Sequence, residues 1–292
     1  MLKEKHNSAI LLAILAAALY AISSPVSKIL LNKVSPTMMA ALLYLGAGIG
    51  MSIIGFYRKK TGKIKEEMKI TKKELPYTVG MVVLDILAPI FLMIGLTMTT
   101  PANVSLLNNF EIVATSLIAL FIFKEVISKR LWIAIILITI ASIVLSIEDA
   151  SSFSFSLGSI FVLFASVCWG LENNCTRMLS VKDPLQVVVI KGFGSGVGSL
   201  LISFILKETS TEVFYIFATL LLGFVAYGLS IYFYVYAQRE LGAAKTSAYY
   251  AIAPFIGVVL SFIIISDIPT ISFIATLLIM IVGTYFASTD NK

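Results

Sequence analysis

The chain has 292 residues, of which 59% are hydrophobic and only 13% charged. An ordinary soluble domain carries about 25% charged residues, so a water-soluble fold is excluded and the solvent for most side chains is lipid. The net charge of +6 does not imply nucleic acid, because the placement of the basic residues along the chain gives it another cause.

In chain order, the N-terminus "MLKEKHNSAILLAILAAALY" has the basic start and apolar run of a signal peptide. The run continues to Leu31, which predicts an uncleaved first span. His6, the only histidine, precedes that span as a solvated residue and cannot build a metal site alone. A helix needs about 20 apolar residues to cross a bilayer. Ten segments have roughly that character: 8–31, 37–57, 76–99, 102–123, 131–147, 157–177, 185–206, 213–237, 246–265 and 270–287. Each is expected to be helical, because lipid offers exposed backbone groups no partner. The charge run "RKKTGKIKEEMKITKKE", residues 58–74, is expected to be a basic solvated loop. Cys168 and Cys175 share one apolar run, about two helical turns apart. That is too far for a disulfide along the helix, and both are expected as small core residues.

The basic residues then set the orientation. Ten spans put both termini on one side. That side holds Lys3, Lys5, the 58–74 loop, Lys124, Lys129, Arg130, Arg177, Lys182, Arg239, Lys245 and Lys292, while Lys33 and Lys207 lie clearly on the other. Cytoplasmic N- and C-termini are therefore expected, and the basic pI needs no nucleic-acid partner.

The chain also matches itself. Displaced by 142 positions, residues 80–145 lie on 222–287, with Ser105 on Ser247, Glu125 on Asp267 and Asp85 on Tyr227. Displaced by 149, "ALYA" at 18–21 meets "VCWG" at 167–170, and Lys28 meets Arg177. Two repeats of five spans are expected, over 8–147 and 157–287. An odd number of spans makes them enter the membrane with opposite orientations, an architecture that transporters use with the substrate site near the midplane.

"ANVSLLNNFEIVATSLIALFIFKE" and "AAKTSAYYAIAPFIGVVLSFIIISD" resemble the small-residue helix start, apolar helix and terminal acidic residue of the EamA domain. "VCWGLENNCTR" and "KDPLQVVVIKG" resemble the sixth and seventh spans of one branch of that family. Two EamA domains in tandem make the ten-span members of the drug/metabolite transporter superfamily. Family members often carry Glu-Pro or a lone Pro in the middle of this helix; here the pair is divided between Glu111-Ile112 and Ala253-Pro254. The resemblance implies an all-helical membrane fold, transport of a small molecule without a cofactor, and the plasma (inner) membrane of a prokaryote. It names no single substrate, and it leaves the oligomeric state open, a homodimer included.

Ionisable residues inside spans are functional candidates by default. Glu111 stands nine residues into its helix, about 13 Å deep at 1.5 Å per residue. Ser105, Asn108, Glu111 and Thr115 share one helical face. Asp85 is equally deep in the preceding, antiparallel helix. Burial disfavours a charged carboxylate, and a second carboxylate nearby adds to this, so such groups can take up and release a proton during alternating access. Glu111 and Asp85 are the expected proton-coupling residues, with Glu111 alternatively a site for a substrate ammonium; the other reading is that they only bind helices together. Glu172 and Lys191 stand at matching depths on either side of a short loop, where an ion pair is expected, either functional or purely structural. Asn173 adds donors at the same level. Tyr227, the repeat-mate of Asp85, and Tyr250, the mate of Asn108, are candidate pocket walls, whereas Tyr234 and Tyr236 fit an interfacial belt better. Pro25, Pro89 and Pro254 are expected kinks that free carbonyls. In "KGFGSGVGS" the small residues four apart predict close helix packing, not a phosphate loop.

These features suit a secondary transporter, most simply an exporter of amino-acid-like metabolites or amphipathic compounds. A facilitated-diffusion carrier or exchanger without proton coupling is the fallback. A polytopic lipid-modifying enzyme would want clustered His, Asp or Arg at the interface. A channel would not need the repeats and mid-span ionisable pairs.

Overall fold

The computed structural model describes residues 2–60, 69–124, 126–149, 154–179, 182–241, 246, 249–266 and 269–289. Residues 61–68 of the basic 58–74 loop, together with Glu125, Lys245, Ser247 and Asp267, lie outside the described residues.

The first repeat comprises α1 (Leu2–Ala21), α2 (Ser23–Leu30), α3 (Pro36–Lys60), α4 (Leu75–Met98), α5 (Pro101–Leu107), α6 (Phe110–Phe123) and α7 (Lys129–Ser146). The second comprises α8 (Leu157–Leu179), α9 (Pro184–Ile205), α10 (Val213–Gly223), a π-helical turn (Phe224–Leu229), α11 (Ser230–Leu241), α12 (Ala253–Ile265) and α13 (Ile271–Ser288). Between the repeats, β1 (Ile147–Asp149) pairs antiparallel with β2 (Ser154–Phe155), a hairpin that the connection "EDASSFSFS" did not predict. Among the described residues, eight helices are long and apolar enough to cross a membrane. The expected sixth and ninth spans are not among them. The 23-residue α8 is long enough, but Glu172, Asn173, Asn174 and Arg177 make its second half polar. The described part of the ninth span, Ala253–Ile265, is a shorter apolar helix.

Four expected spans are interrupted rather than continuous. The first breaks at Ile22, where the Pro25 ring would meet the carbonyl of Ala21, and α2 restarts beyond it. The fourth breaks at Asn108–Asn109. There the chain tightens into shorter bonds, Glu111 N to Asn108 O at 3.1 Å and Ile112 N to Asn109 O at 3.0 Å, while Asn109 Nδ2 donates to Leu106 O. The ninth breaks before Ala253, and Pro254 sits in the first turn of α12, where its missing N–H costs nothing. The eighth carries the π-helical turn around Tyr227. Pro89, by contrast, lies inside an uninterrupted α4.

The repeats share local detail at the 142-residue displacement. Lys124 and Ser266 both end their helices in the left-handed region, at φ 58° and 59°. Ser128 and Thr270 then cap the next helices by accepting from the N–H of Leu131 and of Phe273, each at 3.1 Å. Packing follows the same symmetry. Span 3 packs on span 6 as span 8 packs on span 1, and span 4 on span 6 as span 9 on span 1. Spans 2 and 7, 4 and 9, and 5 and 10 pack as mates.

The small residues of α9 meet two neighbours. Gly196 faces Leu45 of α3, and Gly194 and Gly198 face Val82 and Ile86 of α4. At Gly192 an added methyl would fall on the backbone of Gly48, so α3 and α9 are in backbone contact. Outward positions such as Ile205, Val213 and Ile271 are more than three-quarters exposed, as lipid-facing residues should be. Gly192→Val is expected to destabilise the fold by about 1–3 kcal/mol through overpacking. Val197→Ala, on the outer face of the same helix, should change it little; thermal unfolding in detergent compares the two.

Candidate functional site

Three of the helix interruptions converge. A small cleft between them is lined by Tyr20, Ala21, Ser24, Ser105, Asn108, Ala253 and Pro254. Helices α6 and α12 start at this level, and each helix start carries partial positive charge on its unpaired N–H groups. Asn108 is buried, and its Oδ1 has no hydrogen-bond partner. Tyrosines wall the neighbouring space. Tyr227 packs 5.2 Å from Tyr44 and 6.0 Å from Tyr20, between ring centroids. Tyr250 lies 6.1 Å from Tyr20 and 4.9 Å, edge to face, from Tyr234. Ser23 Oγ donates to the Tyr227 hydroxyl at 3.4 Å.

Beside this wall lies a buried charge cluster. Lys191 Nζ, on α9, is 3.0 Å from Glu172 Oε1 on α8 and 3.1 Å from Asp85 Oδ2 on α4. All three side chains are at most 8% exposed. The Tyr44 hydroxyl donates to Asp85 Oδ1 at 2.8 Å, and the Thr176 hydroxyl donates to Glu172. One ammonium thus serves two carboxylates. The next residue on α8, Asn173, donates through Nδ2 to Glu111 Oε1 on α6 and, at 3.4 Å, to Thr115 Oγ1. Asn174 ties the same helices by donating to Thr115 O at 3.3 Å and Gly170 O at 2.8 Å. The pair Glu172–Asn173 therefore connects the charge cluster to Glu111.

The structure brings together Asp85, Glu172 and Lys191, and separately Glu111 with Asn173. It divides the polar face expected on the fourth span. Because the helix breaks at Asn108–Asn109, Ser105 and Asn108 line the cleft while Glu111 and Thr115 face α8. Tyr227 and Tyr250 stand in the tyrosine wall, and so does Tyr234, which was expected in an interfacial belt; a π-helical turn above it changes the phase of α11. Tyr236 is 44% exposed. Pro25 and Pro254 each lie beside a break. Lys28 holds the end of α4, donating to Leu96 O and to Thr99 O at 2.5 and 2.9 Å, where the carbonyls carry partial negative charge. Sequence reasoning missed Tyr20 and Tyr44, which look like ordinary core aromatics in "ALYA" and "LLYLG".

Removing the shared cation would leave two buried carboxylates uncompensated. Lys191→Gln is expected to cost about 3–5 kcal/mol, whereas Asp85→Asn, which leaves one carboxylate per ammonium, should cost much less; unfolding in detergent near neutral pH measures both.

The comparisons with known proteins agree with this architecture. The model of the EamA-like transporter family matches residues 7–147 and again residues 156–289. An uncharacterized transporter of Methanothermobacter thermautotrophicus is 26% identical over 96% of this chain and 85% of its own. The uncharacterized transporter YyaM of Bacillus subtilis is 27% identical over 67% of each. A crystal structure shares the fold with a TM-score of 0.70 at 18% identity, over 96% of this chain and 95% of that one. The chain is an integral membrane protein with several spans, a transporter rather than an enzyme, and it belongs to the EamA-like transporter family with two EamA domains.

Proposed function

We propose that the protein is a secondary transporter that exports a small amphipathic or amino-acid-like metabolite by alternating access, with proton coupling through Glu111. The observation that carries this reading is the pair of helix interruptions at equivalent positions of the two repeats, Asn108–Asn109 and the turn before Ala253, both on one cleft. Paired breaks in corresponding helices are the best pointer to a transporter binding site, because their freed backbone groups and half-helix ends can contact a ligand. The unpartnered Oδ1 of buried Asn108 suits a donor group on the substrate, and the tyrosines suit an apolar body. Glu111 stands next to this space with a neutral amide as its partner, so it can hold a proton in one state and a substrate ammonium in the other. The repeats would span 8–147 and 157–287, with both termini and the basic loop in the cytoplasm of a cell whose plasma membrane holds the protein.

Metabolite profiling of cells and medium tests the assignment, comparing the intact protein, Glu111→Gln and empty vector. A compound exported at least tenfold less by Glu111→Gln is the expected result. In liposomes, substrate-driven proton movement should be lost with Glu111→Gln; equal movement with both proteins would demote Glu111 to a helix contact, and no movement with either would leave a facilitated-diffusion carrier or exchanger.

A further inference from the structure

Three ion pairs among the described residues join the first repeat to the second, and they stand at three levels. Lys33 pairs with Glu212 and Glu74 pairs with Lys182, each at 3.1 Å, near opposite ends of the bundle. Asp85 pairs with Lys191 between them, also at 3.1 Å. The side chains of the Lys33 pair are about half exposed, and such pairs contribute little. The middle pair is shut in the interior, where charge interactions are strong and where an uncompensated charge is expensive.

The middle pair is also the one with a charge to spare. Asp85 comes from the first repeat; Lys191 and Glu172 both come from the second. Two carboxylates and one ammonium leave the cluster one negative charge in excess. Its oxygens are not equally satisfied. Glu172 Oε1 receives Lys191 and the Thr176 hydroxyl, and Asp85 Oδ1 receives the Tyr44 hydroxyl. Asp85 Oδ2 accepts no hydrogen bond of good geometry and has only the nearby ammonium. A single proton on Oδ2 makes the cluster neutral. It also leaves Lys191 with one charged partner, Glu172, which belongs to its own repeat.

We propose that Asp85, Lys191 and Glu172 form a one-proton switch between the repeats: with Asp85 charged, Lys191 bridges them, and with Asp85 protonated, Lys191 pairs within the second repeat and the central tie is released. This inference rests on the alternating-access reading above and assigns it a trigger separate from Glu111. The step is a proton transfer from hydronium, in the water on whichever side the cleft is open, to Asp85 Oδ2: one O–H bond of hydronium breaks, one forms at the carboxylate, and a water molecule is left. Lys191 from α9 and Tyr44 from α3 touch Asp85, and Glu172 and Cys175 from α8, Tyr227 from the π-helical turn and Tyr20 from α1 interact with it electrostatically. Lys191 is the lone cation in that set, so the balance turns on its two carboxylates.

The two single neutralisations make opposite demands. Asp85→Asn imitates the protonated state and leaves the Glu172–Lys191 pair. Glu172→Gln leaves a neutral Asp85–Lys191 pair that needs no proton. The test uses the full chain in liposomes, with Cys168 and Cys175 replaced by Ala and spin labels at Asn32 and Thr211, which flank the Lys33–Glu212 end. Distances between the labels are measured at low and high pH without substrate. The starting protein is expected to shift with pH, Asp85→Asn to show the low-pH distribution throughout, and Glu172→Gln the high-pH distribution throughout, each with loss of the pH response. In the Glu111→Gln background, where Glu111 contributes no carboxylic acid, pH-difference infrared spectra should show a carboxylic-acid band that Asp85→Asn abolishes. The switch is overturned if the starting protein does not respond to pH, if either neutralised protein still does, if both are held in the same distribution, or if the band survives Asp85→Asn. Glu111→Gln separates the two readings: it should keep this pH response even where it abolishes proton-coupled export. Loss of the response with Glu111→Gln overturns the switch and leaves Glu111 as the coupling group.

Discussion

Lipid cannot hydrogen-bond a peptide group, and the rest of this structure depends on that constraint. A helix may cross the bilayer freely, but it may be interrupted only where protein or a wet cavity receives the freed N–H and C=O groups. The breaks at Ile22, at Asn108–Asn109 and before Ala253 obey the rule by facing one another across a shared cleft rather than facing outward. The interruptions therefore do more than bend three spans. They gather helix ends, the buried amide of Asn108 and the tyrosine wall into the one interior region where a polar ligand would not have to pass through hydrocarbon.

The same constraint governs side-chain charge. An isolated carboxylate at this depth would be strongly disfavoured, and none of the three inner carboxylates is isolated. Asp85 and Glu172 share Lys191, and Glu111 has Asn173. These contacts are unequal in kind. The first two hold charge against charge, whereas the last offers only a dipole, which makes Glu111 the carboxylate with the weakest local compensation. Because Glu172 and Asn173 are adjacent on α8, a small rotation of that helix would alter both centres together. Gly170, packed against Ala114 and Thr115 of α6, brings α8 close enough for the Asn173 and Asn174 amides to reach α6.

Hydropathy alone made most of the fold legible. Long apolar runs and the displacement by 142 residues pointed to an all-helical membrane protein of two five-span repeats, and the resemblance of two segments to the EamA domain named them. The sixth span, expected over 157–177, is the least apolar of the spans, since Glu172, Asn173 and Asn174 belong to the interior but count against a hydropathy window. The breaks were less legible. Pro25 and Pro254 announce themselves, but the turn at Asn108–Asn109 arises from a change of hydrogen-bond register that composition does not encode. The site was legible where charge stood in an apolar run, as at Asp85, Glu111, Glu172 and Lys191. It was not legible where an aromatic residue sat among aliphatic ones, so Tyr20 and Tyr44 passed for core. That Asp85 meets Lys191 also lay beyond the sequence, because it depends on α4 packing against α9 across the two repeats.

The glycine contact between α3 and α9 has a geometric consequence. Spans 2 and 7 are each other's mates, so their crossing lies on the axis that exchanges the repeats. A motion in which the two repeats trade roles converts the contact of spans 3 and 6 into that of spans 8 and 1, but it returns the crossing of spans 2 and 7 to itself. The close approach of Gly48 and Gly192 belongs to a crossing that such an exchange leaves in place. The crossings of spans 4 and 9 and of spans 5 and 10 share this property, so a bulkier residue at Gly192 would displace one of the few contacts common to both arrangements rather than merely crowd it.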